Sequence, residues 1–179
     1  MAMTGATAES YELGPIRPPS EAYSLLVRVT RNCPWNRCKF CPIYKGTKFQ
    51  LRPVEEIKRD IAAARKIYDS IIELAGKSGG GDNVRAAAAM AANNAPSDAS
   101  RNVALWMYGG GEHAFLQDAN TLIMKTPDLV EVIRFLKETF PGISRITTYA
   151  RSKTAAQKKP AELAALREAG LSRIHMGLE

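Results

Sequence analysis

Two stretches of this chain echo each other, and the echo narrows the choice of folds sharply. LKETFPGISRI (136–146) matches LREAGLSRI (166–174) after a two-residue gap. Each reads as a helix end, a glycine, a short loop and a strand that begins Ser-Arg-Ile. Ser144 and Ser172 stand 28 residues apart, a helix-plus-strand period. The same alternation runs through the rest of the chain. Leu25 to Thr30 is the heart of a first strand, rich in leucine, valine and threonine. Pro53 opens a helix in which Val54, Ile57, Ile61, Ala64, Tyr68, Ile71 and Ala75 form one apolar stripe at steps of three and four, ending near Gly76. His113 to Gln117 is a short strand. Thr126-Pro127-Asp128 is a helix N-cap signal. Leu129, Ile133, Leu136 and Phe140 follow on one face, and Gly142 stops the helix. Ser144 to Tyr149 reads as a strand, Pro160 to Ala169 as a helix stopped by Gly170, and Leu171 to Leu178 as the last strand. Strands and helices in regular alternation predict an α/β fold with a parallel sheet and helices outside it. The pattern suits an open doubly wound sheet or a barrel, and does not choose between them.

A chain of 179 residues has the size of one domain. Residues 1–21 read as an irregular lead-in, broken by Pro15, Pro18 and Pro19, and 22–179 as the core domain. Residues 77–111 read as a helical insertion. It comprises a polar, glycine-rich break from Lys77 to Asn83 and an alanine-rich helix from Val84 to Ala95. A short helix then follows, capped by Ser97 or Ser100, running through Val103, Leu105 and Met107 and closing at Gly109 to Gly111. Hydrophobic residues at 45% and charged residues at 24% exclude a disordered tail or a collagen-like repeat. The longest apolar run, Ala86 to Ala92, is far short of the about 20 residues of a membrane span. The first residues show no basic start followed by an apolar block, so a cytoplasmic location is expected. A net charge of +7 favours anionic partners without naming one.

The cysteines carry the chemistry. There are three, Cys33, Cys38 and Cys41, within nine residues. An odd number in one short segment argues against disulfides. The segment follows the first strand, and in parallel α/β folds reactive groups gather at the C-terminal ends of strands. Structural zinc usually takes four protein ligands, and no fourth cysteine exists. His113 and His175 are the only histidines. His175 lies within a strand, and the spacing of His113 fits no common zinc pattern. Three thiolates on a four-iron cluster leave one iron open for a non-protein ligand, the mark of a catalytic rather than a structural metal. Arg37 and Lys39 interleave positive charge with these ligands.

The stretch RVTRNCPWNRCKFCPIYKG resembles the cluster loop of the radical S-adenosylmethionine (radical SAM) enzymes. In that superfamily three cysteines follow the first strand of a partial (βα)₆ TIM-like barrel and hold a [4Fe-4S] cluster. The fourth iron binds the amine and carboxylate of S-adenosylmethionine. An aromatic residue usually precedes the last cysteine, and Phe40 stands there. The first gap here is four residues rather than the commoner three, as in the branch of the superfamily with NifB-type domains. The resemblance extends over 23–179. It implies that Cys33, Cys38 and Cys41 are the metal ligands, and that an acceptor for the cofactor's ammonium group follows the second strand. Two places match: Gly110-Gly111-Glu112 in letters, and Asp118 with Asn120 in position. The strand-end position favours the second, although an Asx-type turn is a competing reading for it. It further implies that Tyr149 and Arg151 approach the nucleoside and carboxylate, and that Glu179 bonds cofactor hydroxyls or the amine. With four strands counted against six units, the resemblance implies a barrel truncated after about four strands. The activity implied is reductive cleavage of S-adenosylmethionine to a 5′-deoxyadenosyl radical acting on an unknown substrate, with an electron donor such as flavodoxin or ferredoxin.

A different class remains open: a non-catalytic iron-sulfur or zinc module that binds nucleic acid. The basic excess and the cluster Arg151, Lys153, Lys158 and Lys159 motivate it.

Overall fold

The computed structural model of the chain describes residues 9–77 and 83–177. The strands are β1 (Leu25–Arg28), β2 (Thr30–Arg31), β3 (Gln50–Leu51), β4 (His113–Gln117), β5 (Arg145–Tyr149) and β6 (Leu171–His175). The helices are α1 (Val54–Lys77), α2 (Val84–Asn93), α3 (Asp98–Tyr108), α4 (Thr126–Thr139), α5 (Ser152–Ala156) and α6 (Pro160–Ala169). β1, β4, β5 and β6 pair in that order, all parallel. The fold is therefore α/β, with a four-stranded parallel sheet. No helix among the described residues is long and apolar enough to cross a membrane.

The register sorts the strand residues into two faces. Leu25, Ala114, Ile146 and Leu171 align across the sheet, as do Val27, Leu116, Thr148 and Ile174. This outer face packs against Ile57, Ile61 and Ala64 of α1, Val103 and Trp106 of α3, Leu129, Ile133 and Leu136 of α4 and Leu166 of α6. The buried side of α1 is the expected stripe, with Ile67 added and Tyr68 half-buried at its margin. Each buried isoleucine contributes up to about 2–3 kcal/mol. On the inner face Leu26, Phe115, Thr147 and Arg173 align, with Arg28 beside Gln117 and Tyr149 beside His175. The lead-in lies along this face: Gln117 Nε2 donates to Gly14 O at 3.0 Å and to Ile16 O at 2.8 Å.

Several boundaries differ from the sequence expectation for physical reasons. The first strand splits at Val29. Its second part, β2, leaves the sheet for a two-residue antiparallel pairing with β3, where the chain turns into the cysteine loop. Pro53 stands just outside α1, its carbonyl accepting from Glu56 and Ile57. Thr126 is the first helical residue rather than the cap. Its hydroxyl donates sideways to Glu162 Oε1 at 2.6 Å and accepts from Lys158 Nζ at 2.8 Å. Ser97 caps α3, accepting from Ser100 N at 3.1 Å. The short helix α5 is invisible to periodicity. The edge of β1 is closed by a side chain: Asn102 of α3 accepts from Leu26 N at 2.9 Å and donates to Ser24 O at 3.1 Å, as a neighbouring strand would.

The sequence echo has a structural counterpart. Ser144 N donates to Glu112 O at 2.8 Å. Ser172 Oγ accepts from Ile146 N at 2.9 Å and donates to Ile146 O at 3.1 Å, filling the ladder where β6 bulges. Gly170, between α6 and β6, has φ +127°, and a Cβ there would lie 2.8 Å from Lys137 Cδ. The positive φ calls for glycine; the lysine side chain could move aside.

Candidate functional site at the strand ends

The cysteine loop leaves the sheet at the C-terminal ends of the strands and is held there by one carboxylate. Asp118, just past β4, is fully buried. Its Oδ2 accepts from Arg28 Nη2 at 2.7 Å, Arg28 Nε at 3.1 Å and Asn32 N at 2.9 Å. Its Oδ1 accepts from Tyr44 OH at 2.7 Å. Asn32 and Tyr44 flank the cysteines on either side, so a single buried side chain grips both ends of the loop. Gly14 backs against it, and a Cβ at that position would stand 2.7 Å from Oδ1. Burial, then the bond to Asp118, pushes the Tyr44 phenol well above its ordinary value, so it remains a donor.

A charge network supports this grip from below. Arg28 Nη1 meets Glu12 Oε1 at 2.8 Å, and Arg31 bonds both Glu12 and Glu56. Arg52, almost wholly buried, meets Asp60 at 2.8 Å and Glu56 at 3.3 Å, and donates to Arg28 O at 2.6 Å. Hydrogen bonds from Arg31 hold the Glu12 and Glu56 carboxyls below their ordinary value, whereas burial pushes Asp60 up. Buried guanidinium groups without such partners would cost several kcal/mol each, so the network is a condition of folding here.

Within the loop, Asn32 and Asn36 have φ +66° and +48°, the left-handed region that asparagine tolerates best after glycine. Asn32 Nδ2 donates to Lys48 O at 2.7 Å, and Asn36 Nδ2 donates to Tyr44 O. The three thiols are half-buried and free of disulfides. Asn36 N points at Cys33 Sγ, 3.4 Å away. Among the described residues no three Cys, His, Asp or Glu side chains gather closely enough to hold a metal. The donor set fits an iron-sulfur cluster in its chemistry and in its place beyond the strand ends. Holding one requires the Cys33 to Cys41 segment to draw its sulfurs together.

The expected cofactor residues fall in different surroundings. Arg151 comes to the loop: its guanidinium lies 4.3 Å from the centre of the Trp35 ring, which Arg37 also approaches at 5.2 Å. Asn120 is buried and accepts from Arg151 N at 3.1 Å while donating to Thr154 Oγ1 at 2.9 Å, so it shapes the turn that presents Arg151. Tyr149 lies on the inner face, edge-on to Phe115 with centroids 5.1 Å apart. Phe40 is 70% exposed on the loop. Glu179 lies outside the described residues. Gly110-Gly111-Glu112 sits at the opposite end of the sheet, where Glu112 O accepts from Ser144 N, so only the Asp118 region shares an end with the cysteines. Asp118 already takes four donors, so its role in the structure is to fix the loop. Lys158 of the basic cluster is spent internally on Met124 O and Thr126.

Residues that sequence reasoning missed are Glu12, Arg28, Tyr44 and Arg52. One signal for them was present: an arginine inside the apolar run Leu25 to Val29 demands a buried counter-charge. No protein-family model matches the chain, and neither a curated protein nor a solved structure matches it.

Proposed function

We propose that the chain is the core of a radical SAM enzyme, with Cys33, Cys38 and Cys41 holding a [4Fe-4S] cluster and S-adenosylmethionine bound beside it. When bound, that pair supplies one-electron reductive cleavage to methionine and a 5′-deoxyadenosyl radical, which takes a hydrogen from a substrate. The observation that carries the reading is the position of a three-thiol loop, gripped at both ends by Asp118, at the C-terminal end of a parallel sheet. The strand order supports the barrel form of the fold. β1, β4, β5 and β6 neighbour one another in chain order, and crossovers of one hand then keep successive helices on one face, as the outer core displays. A doubly wound sheet would reverse its order at a switch point.

The residues divide the work. Asp118, Arg28 and Tyr44 fix the neck of the loop. Arg151, beside Trp35, pairs with the cofactor's carboxylate. Phe40 and Tyr149 offer aromatic surface to its nucleoside. A reductase partner of the flavodoxin or ferredoxin kind delivers the electron. The protein binds, orients and excludes water, and the hard chemistry belongs to the cofactor.

Anaerobic reconstitution followed by electron paramagnetic resonance of the dithionite-reduced protein tests this. About four irons per chain and a signal that changes on adding S-adenosylmethionine are expected. A signal indifferent to the cofactor, or a Cys38→Ala variant that cleaves it at the unmodified rate, overturns the assignment.

A further inference from the structure

A groove of about 680 Å³ lies where the lead-in and α3 meet β1, the edge strand of the sheet. Leu13 and Arg17 of the lead-in, Leu26 and Arg28 of β1, and Arg101 and Leu105 of α3 line it. The volume falls within the range of about 300–1,000 Å³ typical of small-molecule sites. Two of the lining groups have no task in the fold. Arg17 and Arg101 are exposed and, among the described residues, pair with no carboxylate. The arginines of the neighbouring network are spent by contrast: Arg31 on Glu12 and Glu56, Arg52 on Glu56 and Asp60. Two unspent guanidinium groups, one from the lead-in and one from α3, therefore share a single cavity.

The remaining polar groups decide what the groove takes. Arg28 lines it but is neutralised, since Glu12 and Asp118 both meet its guanidinium. Asn102 is also committed: its Oδ1 accepts from Leu26 N and Tyr11 OH, and its Nδ2 donates to Ser24 O. Asp98, exposed at the start of α3, is the one acid in the lining. Two free guanidinium groups against one carboxylate leave a surplus of one positive charge. A carboxylate matches that surplus, whereas a phosphate dianion would exceed it and meet repulsion from Asp98. Leu13, Leu26 and Leu105 supply hydrocarbon beside the charges, so the body that follows the anionic head is apolar.

We propose that this groove binds a small monocarboxylate with an apolar body, its carboxylate met by Arg17 and Arg101 and its hydrocarbon or ring laid on Leu13, Leu26 and Leu105. The assignment rests on these side chains alone and not on the proposed cluster or cofactor. Cys33, Cys38 and Cys41 take no part in it.

Isothermal titration calorimetry of the full chain with 4-phenylbutyrate tests this. The controls are 4-phenylbutan-1-ol, which lacks the charge, and acetate, which lacks the apolar body. Saturable binding of 4-phenylbutyrate at one site is expected, with each control weaker by about tenfold or more. Arg17→Gln and Arg101→Gln should each weaken it by about threefold to tenfold, and Asp98→Asn should strengthen it by about twofold. Lys153→Gln, which removes an exposed cation on α5 outside the groove, should leave it unchanged. The replaced side chains are all exposed, so the variants keep the fold, and the titration needs no iron. No saturable binding, a control that binds as tightly as 4-phenylbutyrate, indifference to either arginine variant, weakening by Asp98→Asn, or an equal loss in Lys153→Gln overturns the proposal.

Discussion

Asp118 and Glu21 are both fully buried carboxylates on one sheet, and they are treated in opposite ways. Asp118 faces donors from both oxygens: a guanidinium, a backbone amide and a phenol. Glu21 accepts at Oε2 from Ser24 and Arg145, while its Oε1 has Arg173 Nη1 at 4.0 Å and His175 Nε2 at 3.8 Å, beyond hydrogen-bond distance. A saturated buried acid is a fastener, because any added partner must first displace one already present. One held largely by charges beyond bonding distance leaves part of its hydrogen-bonding capacity unmet, and each of its partners matters less.

The largest test of this contrast is Asp118→Asn. The amide must turn its NH₂ toward a donor at either oxygen position, and Arg28 loses its buried counter-charge. A loss of about 3–5 kcal/mol is expected, read as a lower denaturant midpoint at unchanged slope. Tyr44→Phe removes one donor and leaves Asp118 Oδ1 buried and unpaired. It should cost about 1–3 kcal/mol and raise the reactivity of Cys33 toward a thiol reagent, since one end of the loop is released.

Acid titration probes the network around the same fastener. Glu12 and Glu56 have folded values below the ordinary 4.5, set chiefly by hydrogen bonds from Arg31. Their stabilisation is fully present above 4.5 and is lost as pH falls through the lowered folded values. Melting temperature should therefore hold steady from neutral pH to about pH 5 and fall below it. Glu12→Gln should flatten that acid limb. A limb unchanged by the variant would remove Glu12 from the network. The smallest effect is expected from Glu21→Gln, which takes the counter-charge from Arg145 and turns an NH₂ toward Arg173 and His175, but whose arginine partner is more exposed than Arg28. A cost of about 1–3 kcal/mol is expected. A cost equal to that of Asp118→Asn would erase the distinction between the two acids.

What could be read from the sequence follows from what each signal depends on. The stripe of α1 and the row Leu129, Ile133, Leu136 were legible because burial repeats with the period of a helix. Strand β4 and helix α6 were legible, the first because Gly109 to Gly111 precede it and the second because Pro160 and Gly170 bound it. That the cysteine segment is a loop beyond the first strand was legible because Pro34 and Pro42 break regular structure there. Arg151 beside Trp35 was not, since it joins residues far apart in sequence. Nor was the part played by the lead-in. Glu12, Gly14 and Glu21 sit in a segment whose prolines erase periodicity, and their partners come from β1, β4, β5 and β6. Side chains that meet only after the sheet is assembled leave no local pattern.

The grip of Asp118 on both ends of the cysteine loop makes that loop a ring in all but covalent bonds. Eleven residues lie between Asn32 and Tyr44. Bringing the ends of so short a free segment together costs about 2 kcal/mol of chain entropy, and here folding has met that cost in advance. The three sulfurs accordingly search a confined volume, at an effective concentration far above that of thiols on a free tail. The metal proposed for this loop would have only to tighten a noose already drawn.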